Sequence, residues 1–534
     1  MKLVRQEMDL PGWNHMVSET AKPETGMEAA SQTGVPDGNQ HPDVSDQKPK
    51  SRGDSERWLI DALLLICLLA TVAAKSIIPA AGMDEDLWWH VSTGDWILSH
   101  HAVPVKDLFS TYTMGTPWIA YTWLFDVLAS QIYNTWGLHG VLTFTTFCTL
   151  SFVAAVVLLL SRYGRMVRAL ALGGLVFAAS GTIVTPRPWL FTCVFFVIEL
   201  HLLLQARSSG KVAWLFPLPL LFALWANLHI QFVYGLGIIG LFAAEHLIAN
   251  IFKWPSSGPK LRAGWFWALL AASTVATLVN PYGWRLYLVV AQYAMQTVPL
   301  QIVKEMQAMH FRSVTDWAAL FLASSALFTI GSARRKCALM MSLLVVSLWF
   351  GFRSERDGWF LAVVSALVMA ASGEPAEPGL NKIRRRQWAI ALPVSLVLAV
   401  AVLASAGVSP GVLQQTASKR FPEKASAYIQ DHALQGPLYN SYAWGGYLIW
   451  RLPGMPVSID GRANLHGDAR LARAAVTWMG GEKWAEDPEL MAAKTILLER
   501  ESGLASILRS DSRFRLVYQD ELASVFQRAE TTSK

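Results

Sequence analysis

The sequence predicts a polytopic α-helical membrane protein with a soluble α/β domain at its C-terminal end. Three observations predict it. The 534-residue chain is 53% hydrophobic and only 16% charged, whereas soluble domains carry roughly 25% charged residues. Apolar runs of near-spanning length recur from Trp58 to about residue 407. Many of the 23 tryptophans sit at the ends of those runs, where an amphipathic ring is favoured at the membrane–water boundary. The net charge of +6 lies mostly in short basic loops, so it reports topology and not nucleic-acid affinity.

Residues 1–57 are polar, rich in Gly, Pro and Ser, and lack an apolar signal-peptide core. They are expected to form a disordered cytoplasmic tail that is not cleaved. Residues 58–407 are expected to form a transmembrane domain of about eleven helices. The first runs from about Trp58 to Ile78 behind Arg52 and Arg57. A large first outer loop, 79–137, follows, with a helix over Ile119 to Asn134 expected to lie on the surface. Further spans are expected near 138–160, 166–184, 190–206, 212–227, 231–251, 263–280, 315–331, 337–351, 358–372 and 387–407.

Charge supports this map independently. Basic clusters follow alternate spans, at Arg162/Arg165/Arg168, Arg207/Lys211, Lys253/Lys260/Arg262, Arg334/Arg335/Lys336 and Lys382/Arg384/Arg385/Arg386. The positive-inside rule places all of them in the cytoplasm. Residues 408–534 then fall on the far side of a bacterial inner membrane, periplasmic or extracellular. In that part, Lys424 to His432 and Ser502 to Arg509 read as helices. Pro437 to Asn440, Met455 to Ile459, Thr495 to Leu498, Phe514 to Tyr518 and Leu522 to Gln527 read as strands, the last two as a hairpin. Cys67, Cys148, Cys193 and Cys337 all belong to apolar segments, so the C-terminal domain has no disulfide framework, and no Cys/His spacing suggests zinc.

The strongest chemical signal is Asp84-Glu85-Asp86-Leu87-Trp88-Trp89-His90, just past the first span. Three adjacent carboxylates repel one another, so something must offset that cost. In an extended loop Asp84 and Asp86 point one way and Glu85 the other. The pair suits a divalent ion such as Mg²⁺ or Mn²⁺, or one carboxylate serves as a general base. On a helix, His90 shares a face with Asp86. The structural alternative is that Asp84 caps a helix starting near Asp86.

Other polar groups fall at turns on the same side: Arg187 in Thr185-Pro-Arg-Pro-Trp189, Asn227 and His229, Tyr282 and Arg285, then Arg353 and Arg356. Arginines there need an anionic partner, either the acidic cluster or a phosphate gripped by the guanidinium fork. In the C-terminal domain, Asn440-Ser-Tyr442-Ala-Trp444-Gly-Gly-Tyr447 and Asp460-Gly-Arg462 follow expected strands, where α/β sheets bind ligands. Equally, the glycines could serve packing and Asp460–Arg462 could be a local ion pair.

The acidic first loop, the helix number and the C-terminal domain together resemble the GT-C superfamily of membrane glycosyltransferases. The motifs Asp84 to His90, Asn440 to Leu448 and Ile459 to Arg462 also resemble those of bacterial membrane proteins of uncertain function. The resemblance implies a sugar donor linked to polyprenyl phosphate, inverting direct displacement, and an acceptor that is a glycan, lipid or protein. It gives Asp84, Asp86 and His90 catalytic roles, with Asp84 and Asp86 as metal ligands if an ion is used. Arg187, His229, Arg285, Arg353 and Arg356 would hold the donor phosphate. Glu85, Asn227, Tyr282, Asn440, Tyr442, Trp444, Asp460 and Arg462 would contribute to substrate binding. Two alternatives remain: a transporter or flippase of an anionic lipid, for which Glu199, His201, Glu245 and His246 are the membrane-embedded candidates, and a non-catalytic scaffold of the same fold.

Overall fold

A backbone crossing hydrocarbon must satisfy its own hydrogen bonds, so the apolar runs fold as helices. The computed structural model describes residues 52–80, 84–254, 260–333, 337–372 and 408–529, with isolated positions between 393 and 401. The tail expected over residues 1–51 and most of the span expected at 387–407 lie outside the described residues. The helical bundle and the C-terminal domain belong to one compact unit within Ser55–Lys534.

The helices of the bundle are α1 (Arg52–Ala80), α2 (Leu87–His100), α3 (Trp123–Leu160), α4 (Met166–Ala179), α5 (Trp189–Ser209), α6 (Pro217–Leu228) and α7 (Phe232–Phe252). They continue with α8 (Ala263–Ala276), α9 (Leu286–Met295), the short α10 (Pro299–Ile302), α11 (Val314–Ser332), α12 (Ala338–Arg353) and α13 (Gly358–Ala371). Among the described residues, five helical stretches are long and apolar enough to cross a membrane: Trp58–Ser76, Trp123–Tyr163, Trp189–Ser209, Phe232–Phe252 and Val314–Ser332. Shorter apolar helices stand beside them at Met166–Ala179, Val212–Leu228, Ala263–Ala276 and Ala338–Arg353. The chain is a multi-pass membrane protein.

The boundaries of two helices differ from expectation. The first helix begins at Arg52, ahead of Trp58. The helix expected over 119–134 starts at Trp123 and runs to a break at Gly137, where it meets the helix of the apolar run at a kink. Gly137 makes that kink at φ 60° and ψ −153°, a conformation a side chain would disfavour.

The C-terminal domain forms a four-stranded sheet of β1 (Leu438–Asn440), β2 (Thr495–Glu499), β3 (Phe514–Gln519) and β4 (Ala523–Arg528), in the order β1-β2-β4-β3. β1 and β2 are parallel, and the other pairs are antiparallel. The segment Met455 to Ile459, expected as a strand, is not in this sheet. Its Val457 pairs with Ser110 of the loop after α2. Val457 N donates to Phe109 O at 3.0 Å, and Thr111 N donates to Val457 O at 2.8 Å. The extended segment is real, but its hydrogen-bond partner lies more than three hundred positions away, so local pattern does not specify the pairing.

A buried ionic network locks the same junction. Arg462 Nη1 donates to Asp107 Oδ1 at 2.7 Å, and its Nε and Nη2 donate to the two oxygens of Asp460 at 2.8 and 2.7 Å. Ser110 Oγ donates to Asp460 Oδ2 at 2.8 Å. The guanidinium also lies 4.7 Å from the Trp118 ring centre. Burial opposes ionisation of Asp460, yet Arg462 and His466 outweigh it and hold the carboxyl well below its ordinary range.

Replacing Arg462 with Met leaves Asp107 buried without a counter-charge and Asp460 with only His466, 3.3 Å away, a loss of about 3–5 kcal/mol. The detergent-purified variant is expected to melt earlier and to release its C-terminal domain to protease at lower temperature. Wild-type melting would refute this role for the network.

Candidate active site between the bundle and the C-terminal domain

The acidic run does not extend freely. Asp84 Oδ1 accepts the Asp86 backbone N–H at 2.8 Å, a tight turn that leads into α2 with Asp86 as its N-cap. Asp84 and Asp86 both reach Arg187, while Glu85 turns to Arg420 at 2.8 Å. Arg187 Nε lies 2.6 Å from Asp84 Oδ2, and its Nη1 lies 3.1 Å from Asp86 Oδ2 and 2.6 Å from Glu305 Oε1. Trp189 stacks beneath this guanidinium at 4.8 Å. Of the two partners weighed for Arg187, the structure thus shows the carboxylates.

Burial pushes the Asp84 carboxyl up against the pull of Arg187. Glu85 is pushed up to about 7, again by burial and against Arg420. The Arg187 guanidinium is disfavoured by burial but held firmly charged by Asp84, Asp86 and Glu305.

One helical turn on, His90 faces the same cavity. Its Nδ1 is 2.5 Å from Asp126 Oδ1, which also accepts from Thr122 Oγ1 at 2.9 Å. With Nδ1 tied to a carboxylate, Nε2 is the nitrogen available for chemistry. Burial draws the imidazole below its ordinary 6.5, against the opposing pull of Asp126.

A second histidine is set by a relay. Trp225 Nε1 donates to Thr192 Oγ1 at 2.8 Å, and that hydroxyl meets His229 Nδ1 at 2.8 Å. Indole can only donate, so Thr192 Oγ1 accepts from Trp225 and still has a lone pair and its own proton for the His229 ring, and either ring tautomer satisfies that contact. Burial, then Arg356 and His90, hold His229 well below its ordinary value, hence neutral.

Of these groups, Glu85, Asp86, His90, Arg187 and His229 line a cavity of about 360 Å³. The bundle supplies Arg187, His229, Tyr293, Glu305 and Arg356, and the C-terminal domain supplies Tyr442, Gly461, Arg462 and Asn464. Arg356 makes no ion pair among the described residues; its guanidinium stacks 4.5 Å over Trp189, and its buried Nε lacks a hydrogen-bond partner. Arg353 stacks on Trp349 at 5.1 Å. A second cavity of about 580 Å³, lined mainly by apolar residues of α7, α9 and α12, shares Tyr121, Tyr293, Met306 and Arg356 with the first.

Other expected site residues lie elsewhere. Arg285 is exposed and outside the cavity. Asn227 accepts from Trp123 Nε1 at 2.8 Å and clasps two backbone carbonyls. The buried Tyr282 hydroxyl donates to Pro104 O at 2.8 Å and holds the loop. Asn440 binds the backbone of Ser458 and Ile459, and Trp444 donates to Arg420 O. Asp460 belongs to the buried network. For Asp84 and Asp86 as metal ligands, both carboxylates face Arg187, and no group of three His, Cys, Asp or Glu side chains among the described residues is arranged to hold an ion. The donor set does not fit a metal in this arrangement.

The glycine pair has a structural use. A Cβ on Gly445 would stand 2.1 Å from Ile459 O, and one on Gly446 would stand 2.4 Å from Glu85 O. A Cβ on Gly461 would stand 1.9 Å from Asp86 Oδ1. Both C-terminal motifs therefore press glycine directly on the acidic turn.

No protein-family model and no curated protein matches the chain. Among solved structures, the oligosaccharyltransferase AglB from Archaeoglobus fulgidus, in complex with an inhibitory peptide and a dolichol-phosphate, superposes with a TM-score of 0.52 at 12% identity. The match covers 84% of this chain and 70% of that one. This chain has a GT-C-like fold. ArnT from Cupriavidus metallidurans, bound to undecaprenyl phosphate, is also similar, at 13% identity and a TM-score of 0.47, over 89% of this chain and 98% of that one.

Within the GT-C-like fold, Asp126, Glu305, Arg420, Tyr293 and Asn464 join the cavity or its support without having been expected. Asp126 left a trace, being the sole acid within α3. Lys304-Glu305 left another, a charged pair in a largely apolar stretch.

Gly461→Ala is expected to drive Asp86 off Arg187. A cryo-EM map of the variant should show the Asp86–Arg187 ion pair, 3.1 Å long in the native chain, broken; an unmoved Asp86 would contradict the packing argument.

Proposed function

We propose that the protein is a glycosyltransferase that takes sugar from a polyprenyl-phosphate carrier at the outer face of a bacterial inner membrane. The chain would cross that membrane about eleven times, with the N-terminus cytoplasmic and the C-terminal domain periplasmic. One observation carries this reading: the polar cavity and the apolar groove meet at Arg356, an arginine that makes no ion pair among the described residues. That junction suits a lipid phosphate, with the isoprenoid tail in the groove and the sugar in the polar cavity. AglB, whose fold this chain shares, was solved with dolichol-phosphate, an isoprenoid phosphate of the same chemical class.

Arg356, with Arg353 and His229 nearby, would grip the phosphate and stabilise charge on the leaving oxygen. Arg187 would act indirectly, fixing Asp84, Asp86 and Glu305 along the wall. His90 Nε2, oriented by Asp126, would accept the proton of the acceptor hydroxyl. The acceptor oxygen then bonds to the anomeric carbon, the bond from that carbon to the phosphate oxygen breaks, and its electron pair leaves on the phosphate. Direct attack inverts the centre. Asp86, expected as base, would instead hold charge and position, because Arg187 and Trp89 Nε1 occupy its oxygens. The steps use no metal, since the carboxylates do not fit one in this arrangement.

The transport alternative gains nothing from Glu245, which is spent on a two-point ion pair with Arg207 at 2.8 and 2.6 Å. Retained carrier lipid without transfer from any donor would favour a transporter or a non-catalytic scaffold.

His90→Gln is expected to lower transfer from a labelled polyprenyl-phosphate sugar by ~10²–10⁴-fold, the span of a lost general base. Undiminished transfer would remove His90 from the chemistry. A base must be unprotonated, and the His90 pKa lies below 6.5. The rate should therefore be flat above that pH and fall as acid protonates the ring, with the acid limb absent in the Gln variant. Arg356→Gln should raise the donor KM by ~10–100-fold, as expected for a charged hydrogen bond; an unchanged KM would place the phosphate elsewhere.

A further inference from the structure

The tandem tryptophans face two different cavities. Trp89 and His90 line the polar cavity described above, whereas Trp88 lines another on the opposite side of α2. This second space, of about 270 Å³, lies between the kink of α3 and the C-terminal domain. Its wall is aromatic. Trp88 stands 5.6 Å from Tyr133, 5.4 Å from Tyr447 and 4.5 Å from Trp450, centre to centre. Trp88 is 2% exposed, yet its indole N–H has no hydrogen-bond partner.

The rim carries both signs of charge. Glu423 and Arg451 line the space without an ion pair between them. Glu423 has no side-chain hydrogen bond among the described residues, and the Arg451 guanidinium meets only the neutral Gln430 amide, at 2.8 Å, and the Tyr447 hydroxyl. Trp136 and His139 also line an apolar groove of about 480 Å³ that runs along α3 past Gly140 and Phe144 to Phe147. Phe147 is 49% exposed and Trp136 is 66% exposed, as expected of side chains facing acyl chains and the headgroup boundary respectively.

We propose that this composite space is a phospholipid site, separate from the polar cavity, for a zwitterionic headgroup of the phosphoethanolamine type. The ammonium would sit in the aromatic box beside Glu423, where ring faces attract a cation. The phosphate would take the Trp88 N–H and the Arg451 guanidinium, and one acyl chain would lie in the groove below Trp136. The occupant props the helix that carries His90 from its back side. The assignment does not depend on sugar transfer.

The test is lipid analysis of the full-length protein purified in mild detergent, followed by relipidation with phosphatidylethanolamine or phosphatidylglycerol. Phosphatidylethanolamine should co-purify in excess over its share of the membrane and raise the melting temperature, and phosphatidylglycerol should not. Glu423→Gln, which removes a charged contact to the ammonium, and Trp136→Ala, which removes apolar cover from the acyl chain, should each cut its retention about tenfold, the scale of one charged hydrogen bond or one apolar side-chain contact. Arg356→Gln should leave it unchanged. Equal retention of phosphatidylglycerol would overturn the headgroup assignment. Retention unaffected by both Glu423→Gln and Trp136→Ala would overturn the site.

Discussion

A single guanidinium organises the polar end of this molecule. Arg187 meets Asp84, Asp86 and Glu305 within 3.1 Å, and each carboxylate comes from a position far from the arginine in sequence. Three acids in so little water would repel one another and drive up their own proton affinities. Arg187 is the charge that lets them stand together, and in doing so it joins the turn before α2, the start of α5 and the segment after α10. Trp189 stacks under it and holds the fork in plane. Arg187 is therefore already engaged, whereas Arg356, on the same Trp189 ring, makes no ion pair among the described residues.

The C-terminal domain is part of that arrangement and not an appendage. Gly446 lies on the Glu85 carbonyl and Gly461 on the Asp86 carboxylate. Trp444 holds the Arg420 backbone, and Arg420 in turn pairs with Glu85. The Asp107–Arg462–Asp460 network fastens the domain to the loop after α2. Its desolvation cost is met only because each guanidinium and carboxylate edge finds a partner. The Asp84–His90, Asn440–Tyr447 and Asp460–Arg462 motifs are thus one junction read in three places.

Much of the fold was legible in the sequence. Helices stand where apolar runs predicted them, since an apolar run buried in lipid has few alternatives to helix. The β3–β4 hairpin was legible too, because its partner strand is adjacent. Met455 to Ile459 was misplaced because strand pattern shows that a segment pairs but not with what. Among the expected site residues, Glu85, Asp86, His90, Arg187, His229, Arg356, Tyr442 and Arg462 meet at one cavity, and Asp84 stands behind it on Arg187. Asn227, Tyr282, Asn440 and Trp444 have polar side chains turned to backbone or neighbouring rings, which residue type does not distinguish from ligand binding.

The sequence by itself determined the membrane-embedded helices, the α/β character of the C-terminal domain and the crowding of charge after the first apolar run. These follow from local composition, spacing and the rules of hydrocarbon solvation. Only the tertiary structure decided which charges neutralise one another, which histidine has a carboxylate behind it, and that Trp88 and Trp89 face separate cavities. The physical reason is distance along the chain. Asp126 lies 36 residues from His90, and Arg187 lies 103 from Asp84, so pairing energies that set each group's charge arise only once the helices have packed.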